Sequence, residues 1–235
     1  MVAEVRAGVS VLGGSSAGGS AAGGEPGSGS RRGHDDDNAA LWRVLRTRRD
    51  HRHFLPTPVP DETVARLLDA FAVAPSVGLS QPWHVTVVRD RAVRESVHAG
   101  FRQVRAAEAD RFTGERRTLY DSLRLEGILQ APVGLVVSHL PPGGPVLGTT
   151  SMPAASEYSV VSAITLLWLA ATAEGLGMGW VSLVDPAHLS GAVPLPPGAR
   201  PMAYLCLGHP ALDLNEPLLQ SVGWGRRRPL AVDWM

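Results

Sequence analysis

The 235-residue sequence contains no lysine, and all 22 of its basic residues are arginine. A chain without lysine cannot form a lysine Schiff base, use a lysine general base or carry the phosphate-binding lysine of a P-loop. Its single cysteine, Cys206, excludes an internal disulfide and a cysteine metal cluster, and the apolar run around it predicts a buried strand. The eight histidines are scattered without metal-ligand spacing, so we expect no bound metal.

An excess of one charge and long apolar runs are also missing. The 22 basic residues balance 22 acidic ones, which argues against a basic surface for nucleic acid. No apolar run approaches the roughly 18 residues that a membrane helix needs, so the sequence predicts no membrane partner. With one cysteine and no apolar run long enough for a secretory signal, we expect a soluble protein of the cytoplasm.

The composition divides the chain into two regions. Residues 1–38 hold 10 of the 26 glycines with many serines and alanines. Because such a segment buries too little apolar surface to offset its ordering entropy, we expect it to be disordered, and a misassigned upstream start codon is an equal explanation for it. Residues 39–235 predict a single domain with a substantial core.

Apolar periodicity places the elements of this domain. Helical spacing is found over 39–47, from Asp61, over most of 90–130, over 158–174 and from Pro186. Alternating or continuous apolar runs predict strands over 83–88, 133–138, 178–183 and 202–207. Asp61 is placed to cap its helix and Gly175 to end the central one, and 141–156 predicts a loop. Strands and helices without a regular βαβ rhythm favour an α+β fold.

Two segments carry the candidate site. Arg48, Arg49 and Arg52 surround Asp50 in the sequence. Their planar, permanently charged guanidinium groups can bind a phosphate, and they lie beside a carboxylate that can move protons. A solvated helix end is the alternative. Further along, 74–83 joins a helix to a strand through small and turn-forming residues, where backbone can approach a flat ligand. Together the segments predict a nucleotide-like cofactor, a flavin.

Residues 48–52, Arg-Arg-Asp-His-Arg, and 75–83, Pro-Ser-Val-Gly-Leu-Ser-Gln-Pro-Trp, resemble the flavin-binding segments of the nitroreductase superfamily. Within it they are most similar to the 5,6-dimethylbenzimidazole synthase (BluB) family, and the resemblance covers about residues 40–230. It implies a nitroreductase-like α+β fold with a central mixed or antiparallel sheet flanked by helices. It also implies an intertwined homodimer with two FMN sites at the subunit interface.

The same resemblance implies roles for the matching residues. The FMN phosphate would be anchored by Arg48, Arg52 and Arg227, the last from the C-terminal Gly-Trp-x-x-Arg segment, and Arg49 would support the same region. Two residues would be catalytic: Asp50, kept ionised beside the arginines, would shuttle protons, and Ser182 would hold the N5 side of the ring. The other cofactor-binding positions are His51, Ser76, Gly78 and Gln81. Segments 123–128 and 146–148 resemble parts of the family that line the site as lid or partner-chain elements, although Thr149 replaces an arginine often found there.

The family reaction would be an oxygen-dependent fragmentation of reduced FMN. Its products would be 5,6-dimethylbenzimidazole, the lower ligand of vitamin B12, and erythrose 4-phosphate. A separate flavin reductase would supply the reduced FMN, and Gly78 would leave room for dioxygen over the flavin face. One alternative is an NAD(P)H-dependent nitro- or flavin reductase that keeps its FMN. Another is a flavin-binding or storage module without catalysis.

Overall fold

The computed structural model describes residues 28–235, with side chains from residue 34 onward. The chain divides into two units, 1–40 and 41–235, and the first enters the described region only as the beginning of helix α1. Residues 1–27 of the segment expected to be disordered lie outside the described part. Residues 28–38 belong to helix α1, which spans Ser28–Thr47. A helix gains one backbone hydrogen bond per added residue once its first turn exists, so it can extend beyond the apolar stretch that identifies it.

The remaining described residues form the elements that the periodicity predicted, with shifted ends. The helices are α2 (Asp61–Ala72), α3 (Arg91–Ala109), α4 (Gly114–Ser122), α5 (Ala155–Ala173), α6 (Pro186–Ala192) and the short α7 (Leu218–Ser221), which the sequence did not indicate. The strands are β1 (Trp83–Val88), β2 (Val133–His139), β3 (Gly177–Val181) and β4 (Arg200–Gly208). Asp61 is the first residue of α2 rather than its cap, and it pairs with Arg89 at 2.6 Å instead.

The four strands form one antiparallel sheet in the order β1-β2-β4-β3, which confirms the α+β prediction. Side chains of β4 alternate between two apolar layers. Leu205 packs with α2 and α5 on one face of the sheet, and Tyr204 and Cys206 pack with α3 and α6 on the other. The central strands β2 and β4 are therefore buried on both faces, which explains their continuous apolar sequence.

Helix α5 is apolar on nearly all sides, and Gly175, two residues beyond its last residue Ala173, has a φ of +73° that confirms the predicted helix-ending glycine. By length and composition alone, α5 is also apolar enough to cross a membrane, although the apolar runs in the sequence predicted no such helix. Its residues Ala163, Ile164 and Leu167 are fully buried in the layer that covers the sheet. The core helix of a soluble protein has these same properties.

Candidate functional site

The arginine segment lies along the free edge of the sheet, beside β3. The His51 N–H donates to the Met178 carbonyl at 3.0 Å, and Asp50 forms a parallel bridge with Met178. This approach requires a glycine opposite, because a methyl group on Gly179 would lie 2.1 Å from the His51 carbonyl oxygen. The glycine-rich stretch before and within β3 therefore serves close backbone packing of the arginine segment.

Asp50 and Arg52 are locked together against β3. The Trp180 N–H donates to Asp50 Oδ1 at 3.0 Å, and Arg52 Nη2 donates to Asp50 Oδ2 and, at 2.9 Å, to the Trp180 carbonyl. The other terminal nitrogen of Arg52, Nη1, is buried and has no hydrogen-bond partner within residues 28–235. A buried cationic donor without an acceptor is costly, so this atom indicates that an anionic or polar ligand belongs here.

The environment of Asp50 raises its pKa above the ordinary aspartate value. Burial is the largest cause, and it outweighs Arg52, the Trp180 N–H and Arg48, which all lower the pKa. The neighbouring arginines therefore do not set the direction of this pKa shift, and the predicted role of Asp50 stays a prediction. Because 43% of the side-chain surface remains accessible, solvent moderates the shift. A carboxyl group with a raised pKa is better suited to exchange a proton near neutral pH.

A cavity of about 160 Å³ lies against this network. Its lining combines guanidinium groups with a small apolar wall, and consists of Arg48, Arg49, Asp50, Arg52, Arg124, Leu125, Pro217, Leu218, Leu219 and Arg227. Five arginines against one carboxylate leave a net positive charge. Planar, charge-assisted donors around a small space are suited to a phosphate or carboxylate.

The arginines of the cavity are not equivalent. Arg49 is committed to the backbone, because it donates to the carbonyls of Arg46 at 2.6 Å and Asn215 at 2.9 Å, and its predicted part in the phosphate site stays a prediction. Neither Arg48 nor Arg227 has a side-chain hydrogen bond to any part of the chain that the structure describes. Burial lowers the pKa of Arg48, and repulsion from Arg49 and Arg227 adds to that effect against the attraction of Asp50. An anion between Arg48 and Arg227 would relieve this repulsion.

Three predicted residues lie together elsewhere, around the 3-10 turn Val77–Leu79, and none of them lines the cavity. The Ser76 hydroxyl accepts the Gln81 N–H at 3.0 Å, and Gly78 has a φ of +54°. A methyl group at Gly78 would lie 2.7 Å from Val146 Cγ1. Within one chain, the space expected for dioxygen beside Gly78 is therefore filled by Val146 and Leu147.

Two further predicted residues do not line the cavity. Ser182 is exposed just beyond the end of β3, two positions after Trp180. The His51 ring packs over Gly177, and burial, with Arg49 next, lowers its pKa. His51 is therefore held against β3 through its backbone and its ring, and its predicted contact with the cofactor stays a prediction.

Some lining residues have only a weak signal in the sequence. Arg124 and Leu125 belong to the segment 123–128, which was expected to line the site, although neither residue was assigned a role. Pro217–Leu219 carry no polar pattern that would indicate a site. Their place follows from the tertiary path of the C-terminal segment alone.

The C-terminal segment is attached to α4. The Arg116 guanidinium lies 3.5 Å from the Trp224 ring centroid and donates to the Trp224 carbonyl at 2.9 Å. Phe112 and Tyr120 complete an aromatic cluster with Trp224. Because Arg227 follows three residues later, this attachment helps to place it in the cavity.

Comparison with known proteins agrees with this geometry. Residues 45–209 match the Nitroreductase family. The chain is 43% identical over 197 residues to a 5,6-dimethylbenzimidazole synthase of Rhodobacter capsulatus, covering 83% of this chain and 94% of that protein. It is 45% identical over 191 residues to the 5,6-dimethylbenzimidazole synthase of Rhodospirillum rubrum, covering 80% and 90%.

A solved structure shares the fold. Oxidized iodotyrosine deiodinase bound to FMN and 3-iodo-L-tyrosine superposes with a TM-score of 0.66 at 21% identity, covering 83% of this chain and 98% of that one. The family match spans most of the domain, and both curated relatives are aligned over nearly their whole length. The chain therefore belongs to the nitroreductase family and, within it, to the 5,6-dimethylbenzimidazole synthases.

Proposed function

We propose that this protein is a 5,6-dimethylbenzimidazole synthase. It would fragment reduced FMN in an oxygen-dependent reaction to 5,6-dimethylbenzimidazole and erythrose 4-phosphate. The observation that carries the proposal is the identity of 43% and 45% to two such synthases over nearly their entire length. The segment 48–52, which carries the resemblance to the 5,6-dimethylbenzimidazole synthases, also lines the positive cavity.

The cavity fits the phosphate of FMN. Arg48 and Arg227 offer uncommitted guanidinium groups, and Arg52 Nη1 is a buried donor that lacks an acceptor among the described residues. A phosphate monoester provides oxygens for all three, and its double negative charge offsets the excess of arginine. When bound, reduced flavin supplies the electrons that dioxygen accepts and the carbon skeleton of the product.

Asp50 is the proposed proton carrier. The Trp180 N–H and Arg52 fix both of its oxygens at the cavity wall, so its position does not depend on the ligand. Its raised pKa suits a group that takes up a proton and returns it during cleavage of the ring and the ribityl chain. Ser182, exposed beyond β3, is proposed to contact the N5 side of the ring.

A second copy of the chain is proposed to complete each site. The cavity of about 160 Å³ is well below the roughly 300–1,000 Å³ of typical small-molecule pockets. It therefore accounts for the phosphate end of the ligand only. The Ser76–Gln81 turn lies outside it, near the exposed side chains Leu147 and Tyr158. In a homodimer, as the family resemblance implies, this turn would approach the ring bound by the partner. The protein would act in the cytoplasm on FMN reduced by a separate enzyme.

Aerobic incubation of the purified protein with chemically reduced FMN tests the proposal. Formation of 5,6-dimethylbenzimidazole, identified by mass, is the expected result. Simple reoxidation of FMN together with rapid NAD(P)H oxidation would instead identify a flavin reductase. Slow oxidation of a tightly bound flavin without product would identify a storage module. Anaerobic incubation is the control, because it removes the co-substrate and leaves the other components unchanged.

The Asp50→Asn variant tests the proposed proton carrier. The amide retains the shape of Asp50 and one acceptor oxygen, which can serve either Arg52 or the Trp180 N–H but not both, and it cannot exchange a proton. FMN affinity is expected to stay within a few-fold of wild type, while the rate of product formation falls by about 10²-fold or more. Asp61→Asn is a matched control, because Asp61 also pairs with an arginine but is exposed and outside the cavity. Normal product yield from Asp50→Asn would refute the role.

A further inference from the structure

One side chain outside the predicted motif touches two of its arginines. Trp168 lies on α5, half-buried, and packs against the core layer between that helix and the sheet. Its indole Nε1 donates to the Arg49 carbonyl at 3.1 Å. Its ring also lies under the Arg48 guanidinium, 4.8 Å from centroid to Cζ. No sequence pattern singled out Trp168 except as one of the apolar residues of the central helix.

These contacts fix the part of the arginine segment that β3 does not hold. The backbone bond from His51 to Met178 begins the contact with the sheet edge. Before this point, Arg48 and Arg49 leave the end of α1 without a strand partner. The hydrogen bond from Trp168 ties the Arg49 peptide to α5, and Arg49 in turn holds Asn215 of the C-terminal segment.

The ring also acts on Arg48 directly. The side chain of Arg48 has no hydrogen bond to the described part of the chain, so the face of Trp168 is what orients its guanidinium. Stacking on the ring restricts the rotamers of Arg48 while leaving its N–H edge free for an anion. A donor that is already oriented loses less conformational entropy when a ligand binds.

We propose that Trp168 is a positioning residue for the phosphate, which orients Arg48 and thereby lets the protein discriminate phosphorylated from unphosphorylated flavin. The inference rests on the proposed function, since it assigns the anion in the cavity to the phosphate of FMN. Trp168 itself does not line the cavity. It acts through Arg48 and Arg49.

Dissociation constants for FMN and riboflavin, measured with the full chain, test this role because the two ligands differ only in the phosphate. Trp168→Leu removes the ring face and the N–H donor, and it should weaken FMN binding by about tenfold while riboflavin binding changes less than about twofold. Trp168→Phe keeps an aromatic face and loses only the N–H, so a loss of about two- to threefold for FMN is expected. Phe71→Leu is the control, because it removes an aromatic ring from the same core layer without touching the arginines.

Each outcome of this comparison is informative. Equal losses for FMN and riboflavin, or an unchanged preference for FMN in Trp168→Leu, would overturn the positioning role while leaving the proposed function intact. A wild-type protein that binds neither ligand would overturn the proposed function and the inference with it. If Trp168→Leu does not fold, the smaller change to phenylalanine still tests the selective loss of FMN affinity.

Discussion

A methyl group at position 179 would have no space in this fold. An alanine Cβ there would lie 2.1 Å from the His51 carbonyl oxygen and 2.7 Å from Arg52 Nη1. Both distances are far below ordinary contact, and the first neighbour is backbone, which cannot rotate away. The Gly179→Ala variant must therefore push the arginine segment off the edge of β3.

The expected cost follows from the contacts that this movement breaks. Overpacking costs about 1–3 kcal/mol, and loss of the hydrogen bond from the Trp180 N–H to the Asp50 carboxylate costs a further ~1.5–3 kcal/mol. A decrease of about 2.5–6 kcal/mol in the free energy of unfolding is expected from these two terms. FMN binding should fall with it, because the same movement displaces Arg52 and Asp50 from the cavity.

Urea denaturation and FMN titration of the variant measure both effects. Gly191→Ala is the matched control: Gly191 lies in α6, a methyl group added there would meet no atom within 4 Å, and alanine is the better helix former. The control should keep wild-type stability or exceed it. If Gly179→Ala unfolds at the wild-type urea concentration and binds FMN normally, the close packing of the arginine segment on β3 is not what holds the site.

Two further predictions concern the attachment of the C-terminal segment and the charge state of Asp50. Arg116→Ala removes the contacts with Trp224 and should weaken FMN binding about threefold to tenfold, because Arg227 is then less well placed. Arg102→Ala changes an exposed arginine and should leave the FMN affinity unchanged. Equal FMN affinities of the two variants would show that Arg227 is placed independently of α4. The folded state raises the pKa of Asp50, so just above the ordinary aspartate pKa the folded protein binds more protons than the unfolded chain. The stability that Asp50 contributes therefore falls as the pH rises towards its pKa in the folded state. In that pH window, the free energy of unfolding should therefore decline more steeply for wild type than for Asp50→Asn, and parallel curves would contradict the raised pKa.

The parts of the site that follow from residue type were predictable from sequence. Guanidinium groups clustered around Asp50 indicate an anion-binding site from residue type alone. In the structure, four of the predicted residues and Arg227 line one cavity. The strands were predictable as well, because β2 and β4 are buried on both faces and read as unbroken apolar runs.

Other parts depend on tertiary contacts that one sequence does not encode locally. Arg49 looks equivalent to Arg48 in the sequence, yet the path of the C-terminal segment brings the Asn215 carbonyl within hydrogen-bonding distance of its guanidinium group. The direction of the Asp50 pKa depends on how much solvent is excluded, which neighbouring arginines do not reveal. Gly78 suggests open space, but Val146 and Leu147, far along the chain, fill it.

The most direct test of the account is the structure of the protein crystallised with FMN. The cavity geometry predicts that the phosphate lies within hydrogen-bonding distance of the Arg48 and Arg227 guanidinium groups, with Arg52 Nη1 paired and the isoalloxazine ring extending past Asp50. A phosphate bound away from these arginines, or a ring remote from Asp50, would contradict it.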